Sequence, residues 1–192
     1  MCGACGGSPA DWAGPLVSGH RRRWAIARFT AAVCTGVRVS PVPQGWLASG
    51  SAGGAGVAPT LDRLLDLVAR FLVPAGWDEL EAALRDHEHG AGHEDDAYSG
   101  YRPPPAPCPP AAVTVMSVPP GGALHLRLAA FGLGVRAFDR RAVALDAPGR
   151  AAPFRLLAAD GRIVGTGPMS RERAEEPAAA PAHDVVPGPL HA

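Results

Sequence analysis

A proline-rich segment in the middle of the chain limits how this sequence can fold. Six of the eight residues in Pro103–Pro110 are proline. Proline fixes its backbone φ angle and has no N–H to donate, so the run favours an extended polyproline II conformation. We therefore predict a linker over residues 87–111, with folded units on either side. An alternative is that the prolines, with Tyr98, Tyr101 and Arg102, form a ligand for an aromatic groove of a partner protein.

The absence of two residue types excludes several chemistries. The 192 residues include no Lys and no Asn, and all 18 basic residues are Arg. This bias is typical of GC-rich coding and indicates a high-GC bacterial source. Without Lys there is no Schiff-base or pyridoxal phosphate chemistry and no P-loop lysine. The formal net charge is zero, with one short basic run at His20–Arg23, so we expect no nucleic-acid partner.

Hydropathy and the number of cysteines indicate in which cellular compartment the protein is found. No stretch approaches 18 consecutive apolar residues, and the start of the chain lacks the charged and apolar regions of a signal peptide. We expect a cytoplasmic protein that does not bind a membrane. Thiols stay reduced in the cytoplasm, so the four cysteines are not expected to form disulfides.

The spacing of apolar residues before the linker predicts a small α+β unit. Apolar residues recur at the helical period in three places and alternate at the strand period in two. The predicted elements are a helix over 19–35, strands at Val37–Val42 and Trp46–Ser49 joined at Gln44–Gly45, a glycine-rich turn at Gly50–Gly56, a helix capped by Thr60, and a short helix from near Asp78. Cys34 lies beside the apolar face of the first helix and is predicted to be a small buried residue.

After the linker, period-two patterns predict an antiparallel β-meander. The clearest strand is Leu124–Leu128, where leucines alternate with His125 and Arg127, so both polar residues are predicted to be exposed. The other predicted elements are strands at Val113–Met116, Val135–Phe138, Ala142–Asp146, Phe154–Ala159 and Arg162–Thr166, and turns at Pro119–Gly122, Gly132–Gly134 and Asp160–Gly161.

The whole chain is thus predicted to be α+β, with a helix-hairpin-helix unit followed by the meander. The predicted segments are an N-terminal segment 1–17, an α+β unit 18–86, a linker 87–111, a meander 112–167 and a disordered tail 168–192. The tail is rich in Ala, Pro and Glu without an apolar period, which is typical of disorder.

Two cysteines near the start of the chain have the spacing of a metal site. Cys2 and Cys5 form a Cys-x-x-Cys pair flanked by glycines, which permit the tight turn that brings both sulfurs together. The sequence Cys-Gly-Ala-Cys-Gly resembles one knuckle of a zinc ribbon or rubredoxin-type site, which implies zinc as the bound metal. Tetrahedral zinc needs two further ligands. The candidates for these are Cys34, Cys108, His87, His89 and His93. In a second arrangement, the three histidines hold a separate, loosely bound ion. An alternative is that the cysteines lie in an exposed, reduced terminus and the histidines in a solvated loop.

The same cysteines also allow thiol chemistry. The start Met1-Cys2-Gly3 is similar to that of class II glutamine amidotransferases, which implies an N-terminal Cys nucleophile whose own amine is the base. The oxyanion-hole asparagine of that family has no counterpart here, because the chain lacks Asn. Cys2 and Cys5 together also suit thiol-disulfide exchange.

Other catalytic patterns are missing from the sequence. It has no Gly-x-Ser-x-Gly nucleophile elbow and no paired carboxylates in an apolar setting. We therefore expect a small non-catalytic interaction or regulatory protein that has an unidentified protein partner and binds zinc at Cys2 and Cys5. The alternative hypothesis is a thiol-dependent enzyme that uses Cys2 and Cys5 for thiol-disulfide exchange or amidotransferase-like hydrolysis.

Overall fold

The computed structural model describes residues 13–50, 55–88, 114–138, 142–148, 153–159 and 161–168. Its helices are α1 (Gly14–Val17), α2 (His20–Val33), α3 (Leu61–Val68), α4 (Trp77–Glu88) and α5 (Leu124–Ala137), with a 3₁₀ turn at Ala69–Phe71. Its strands are β1 (Val37–Val42), β2 (Gly45–Gly50), β3 (Ala55–Ala58), β4 (Thr114–Ser117), β5 (Ala142–Ala147), β6 (Phe154–Ala159) and β7 (Arg162–Pro168). These elements confirm the α+β class.

The first sheet contains β1, β2 and β3 in that order, all antiparallel. β1 and β2 lie where the alternating pattern predicts strands, whereas β3 falls in a glycine-rich stretch for which a turn is predicted. Gly45 opens β2 with φ 140°, and a Cβ on it would lie 2.1 Å from the carbonyl oxygen of Ala58. The close approach of β2 and β3 therefore requires glycine at this position.

Helices α2, α3 and α4 lie where the apolar spacing predicts them. Helix α3 begins with a capping bond, in which the backbone N–H of Arg63 donates to Thr60 Oγ1 at 3.2 Å. Its core-facing residues are Leu61, Leu64, Leu65 and Val68, all buried.

Helix α5 replaces several predicted elements. The strand predicted at Leu124–Leu128 is wrong, because these residues open a helix that continues to Ala137. The turn predicted at Gly132–Gly134 lies inside the same helix, and the strand predicted at Val135–Phe138 covers its end. His125 and Arg127 are buried, so the predicted exposed face is also wrong.

The reason for these errors is that α5 has no exposed side along most of its length. Every residue from Leu124 to Val135 is buried, and the helix packs against α1 to α4 and against β5 and β7. A helix buried all round has no 3.6-residue apolar period. The two glycines are not turn residues but contact points, since a Cβ on Gly132 would lie 2.2 Å from Leu65 Cδ1 and one on Gly134 would lie 2.4 Å from Trp77 Cη2.

The second sheet has the order β4-β5-β6-β7. β4 pairs parallel with β5, and the chain passes between them through α5. The predicted antiparallel meander is therefore wrong for β4, whereas β5, β6 and β7 do pair antiparallel. The predicted hairpin between β6 and β7 is confirmed, and Gly161 there has φ 71°.

One apolar core contains residues from both sides of residues 89–113. Its largest fully buried side chains include Phe29, Trp46 and Phe131. Trp46 is also anchored by a hydrogen bond, because its Nε1 donates to the carbonyl oxygen of Arg23 at 2.9 Å.

Several predictions fall on residues that the structure does not describe. The proline-rich part of the linker, most of segment 1–17 and the tail from 169 lie outside the described residues, as do Cys2, Cys5, Cys108, His89 and His93. The domain boundaries drawn from the sequence stay a prediction.

Candidate functional site

Cys34 and His87 are the predicted additional zinc ligands that the structure describes. Cys34 is 4% exposed, and its Sγ lies 3.7 Å from the carbonyl oxygen of Val68. Burial raises the pKa of this thiol to about 12. His87 packs edge-on against Phe29 with ring centroids 5.8 Å apart. Cys34 is thus the small buried residue that the sequence predicts, and the described residues contain no group of three or more His, Cys, Asp or Glu placed to hold a metal.

A buried ion-pair network links α5 to α4. Arg127, 3% exposed, donates from Nε to Glu88 Oε1 at 2.7 Å and from Nη2 to Glu88 Oε2 at 2.8 Å. Its Nη1 donates to Glu81 Oε1. Burial disfavours the charged guanidinium, but the hydrogen bonds and charges of Glu88 and Glu81 outweigh burial and raise the pKa of Arg127. These three ionised groups therefore serve to hold two helices together.

The sequence pattern does contain one signal for this network. Glu81 and Glu88 are seven residues apart, so they lie two turns apart on the same side of α4. The partner cannot be identified from local spacing, because Arg127 is 46 and 39 residues further along the chain.

His125 is a second buried ionisable residue on α5. It is 5% exposed, and its pKa is lowered to about 4 by burial and by the positive charge of Arg22. Arg22 is 3% exposed, and its Nη1 lies 3.5 Å from the carbonyl oxygen of Leu16, to which it donates. A neutral imidazole with so low a pKa is poorly suited to general base catalysis near neutral pH.

The first sheet presents one face away from the core. Val39, Trp46, Ala48 and Ala58 are buried on the core side. Because strand side chains alternate, the residues between them point to the opposite side, which we call the outer face. The outer face consists of Arg38, Ser40, Val42, Leu47, Ser49, Ala55 and Val57.

Apolar side chains occupy the middle of the outer face. Leu47 and Val57 are cross-strand partners on β2 and β3, and they are 37% and 64% exposed. Ser40 is the partner of Leu47 on β1, and Val42 lies at the end of the same strand. Arg38 supplies a positive charge, whereas the described residues of this face include no carboxylate.

Comparison with known proteins does not extend this picture. No protein-family model matches the sequence, and neither characterised proteins nor solved structures give a significant match. Within the described ranges, the helices are all too short or too polar to cross a membrane.

Proposed function

We propose that this chain is a non-catalytic interaction protein of the bacterial cytoplasm that binds a protein partner through the outer face. The observation that carries the proposal is the exposed cross-strand pair of Leu47 and Val57 on a sheet whose other side contributes Val39, Trp46, Ala48 and Ala58 to the core. The described groups with shifted pKa values, by contrast, are the buried Cys34, His125 and Arg127, and Arg155, whose guanidinium pairs with Asp146 on the neighbouring strand.

The chemistry of the outer face defines the kind of partner it suits. Adjacent apolar side chains favour an apolar segment that covers Leu47 and Val57, since burying both removes apolar surface from water. Arg38 lies on the same face without an acidic neighbour among its described residues. We therefore expect the partner segment to carry a carboxylate beside its apolar residues.

Site-specific cross-linking tests the proposal. A photoreactive benzoylphenylalanine at position 47 should give one discrete heterologous adduct in cells, whereas the same group at the exposed Val73, outside the sheet, should not. The purified partner should then bind at least about tenfold more weakly to Val57→Glu and to Arg38→Glu, and normally to Val73→Glu. No adduct at position 47, the same adducts from position 73, or an adduct of two copies of this chain would refute the proposal.

We also propose that Cys2 and Cys5 bind zinc, on the support of their spacing between glycines. Mass spectrometry of the purified, untagged protein should find about one zinc per chain. Zinc should be lost in Cys2→Ser/Cys5→Ser and kept in Cys34→Ala, which removes a buried thiol. A wild-type protein without metal would overturn the proposal, and loss of a disulfide-exchange turnover on alkylation of Cys2 would support the thiol enzyme instead.

A further inference from the structure

A surface cleft lies between the 3₁₀ turn and the C-terminal end of α5. Its volume is about 630 Å³, which is within the range of small-molecule sites. Its charged lining residues are Asp66, Arg70 and Arg136. Its apolar lining includes Ala69, Pro74 and Phe138. The cleft uses no residue of the outer face.

One of the two arginines in the cleft is already neutralised. Arg136 is 11% exposed on its side chain, and its Nε donates to Asp66 Oδ1 at 2.7 Å while its Nη2 donates to Asp62 Oδ1. This geometry fixes the position of Asp66, whose side chain is still 54% exposed. The bond from Arg136 engages Oδ1, and the exposed part of the side chain leaves room at Asp66 for a second partner.

Arg70 is one helical turn away from Asp66. Oppositely charged residues four positions apart commonly pair with each other. Here they do not, because within the described structure Asp66 pairs with Arg136 and the guanidinium of Arg70 lies over the Phe71 ring, 4.8 Å from its centroid. The cleft thus presents one positive and one negative group side by side, neither paired with the other.

An aromatic wall flanks the two charges. Phe138 lines the cleft and is only partly buried. Its ring packs edge-on against Trp77 with centroids 5.5 Å apart, and Trp77 in turn contacts Phe131 in the core. Phe138 is thus packed against the core through Trp77 on one side and supplies apolar surface to the cleft.

We propose that this cleft binds a zwitterionic small molecule, an α-amino acid with an apolar side chain. The carboxylate of the ligand pairs with Arg70, its ammonium donates to Asp66 Oδ2, and its side chain packs against Phe138. Charge complementarity favours this class, because a simple anion would bring a second negative charge close to Asp66 and a simple cation would leave Arg70 without a carboxylate.

L-Phenylalanine is the probe for a binding test by NMR. The methyl groups of Ala69, Ala75 and Ala137 line the cleft, and the ligand ring should shift their resonances in a saturable way. Three analogues each lack one feature: 3-phenylpropionate has no ammonium, 2-phenylethylamine no carboxylate and glycine no apolar side chain. Each should bind at least about fivefold more weakly than phenylalanine, which is a modest loss for one charged or apolar contact.

Substitutions in the full-length protein test whether Arg70 and Asp66 contribute to binding without a general effect on the fold. Arg70→Gln and Asp66→Asn should each weaken binding at least about tenfold, and Ala75→Trp should block it by filling the cleft. Arg63→Gln and Asp78→Asn, exposed on α3 and α4, are the matched controls and should bind normally. The proposal is overturned if phenylalanine gives no saturable shift, if 3-phenylpropionate binds equally well, or if Arg70→Gln binds like the wild type. These results are independent of the outer face, which the cross-linking experiment tests alone.

Discussion

The carboxylate of Glu88 accepts two hydrogen bonds from the guanidinium of Arg127, and this pair holds α4 against the buried helix α5. Glu88 is 10% exposed on its side chain and Arg127 3%. Arg127→Met should lower the free energy of unfolding by about 3–5 kcal/mol, because it leaves the carboxylates of Glu88 and Glu81 without their cation. Urea denaturation of the wild type and of Arg127→Met measures this difference in the free energy of unfolding.

A triple variant tests whether the loss of stability comes from the unpaired carboxylates or from the change in side-chain volume. Arg127→Met/Glu81→Leu/Glu88→Leu replaces all three charged groups by apolar ones and should be more stable than Arg127→Met alone, because no ion is left unpaired in the interior. Arg63→Met, on the exposed side of α3, is the control and should change stability by less than about 0.5 kcal/mol. Equal stability of the triple and single variants would contradict the assigned role of the network.

His125 should make stability depend on pH between about 4 and 6.5. Its pKa is lowered from 6.5 to about 4 in the folded protein, so in this interval the unfolded chain binds a proton that the folded protein does not. The free energy of unfolding therefore falls as the pH falls, and the contribution of His125 between neutral pH and pH 4 is about 3 kcal/mol.

A comparison of variants distinguishes the pH dependence caused by His125 from the pH dependence caused by Asp and Glu residues. Urea denaturation at pH 7 and pH 4.5 should give a smaller difference in stability for His125→Gln than for the wild type, whereas His20→Gln, at an exposed position, should keep the wild-type difference. If His125→Gln has the full pH dependence, the imidazole does not titrate as described.

Gly134 should not tolerate alanine, although alanine is the better helix former by about 1 kcal/mol. A Cβ at this position would lie 2.4 Å from two atoms of the Trp77 ring, so the ring or the helix must move. We expect Gly134→Ala to lower the melting temperature and to cost about 1–3 kcal/mol. Gly76→Ala places its Cβ in open space and is the control.

A double-mutant cycle locates the cause of that loss. Trp77→Leu removes the atoms that the new Cβ would contact, so Gly134→Ala should cost less in the Trp77→Leu background than in the wild type. Additive effects of the two substitutions would show that the contact with Trp77 is not what excludes a side chain here.

Cys34 should be unreactive in the folded protein. Its thiol is buried and its pKa is raised to about 12, so almost no thiolate is present at about pH 8. Iodoacetamide followed by peptide mass spectrometry should find Cys34 unmodified in buffer and fully modified in urea. Rapid modification of the folded protein would contradict the burial of this residue at the end of α2.

Helix α3 and strand β1 are predicted correctly because each carries a periodic apolar pattern. Helix α3 has a capping residue at Thr60 and a leucine face, and β1 alternates, so each carries a periodic signal. Strand β3 was missed because Ala55–Ala58 contains only small residues and one valine, next to glycines. The outer face could be predicted only in part for the same reason, since Val57 belongs to this strand.

Helix α5 shows why polarity alone is an unreliable guide to exposure. His125 and Arg127 alternate with leucines as residues of an exposed strand face would, yet both are buried beside partners from distant segments. The lack of β-branched residues before Val135 and the abundance of Leu and Ala did favour a helix. The cleft could not be predicted from the sequence either. Arg70 and Phe138 are 68 positions apart and come together only when α5 is packed in the fold.

The central position of α5 couples the two halves of the chain thermodynamically. The apolar surfaces of α2, α3 and α4 are covered by a helix that follows them by many residues, and that helix is itself stable only when they surround it. We therefore expect unfolding in one cooperative transition. A molecule that binds on either side of residues 89–113 then stabilises both sides by the same amount. A ligand in the cleft near Phe138 would therefore also reduce the fraction of molecules in which the first sheet is unfolded.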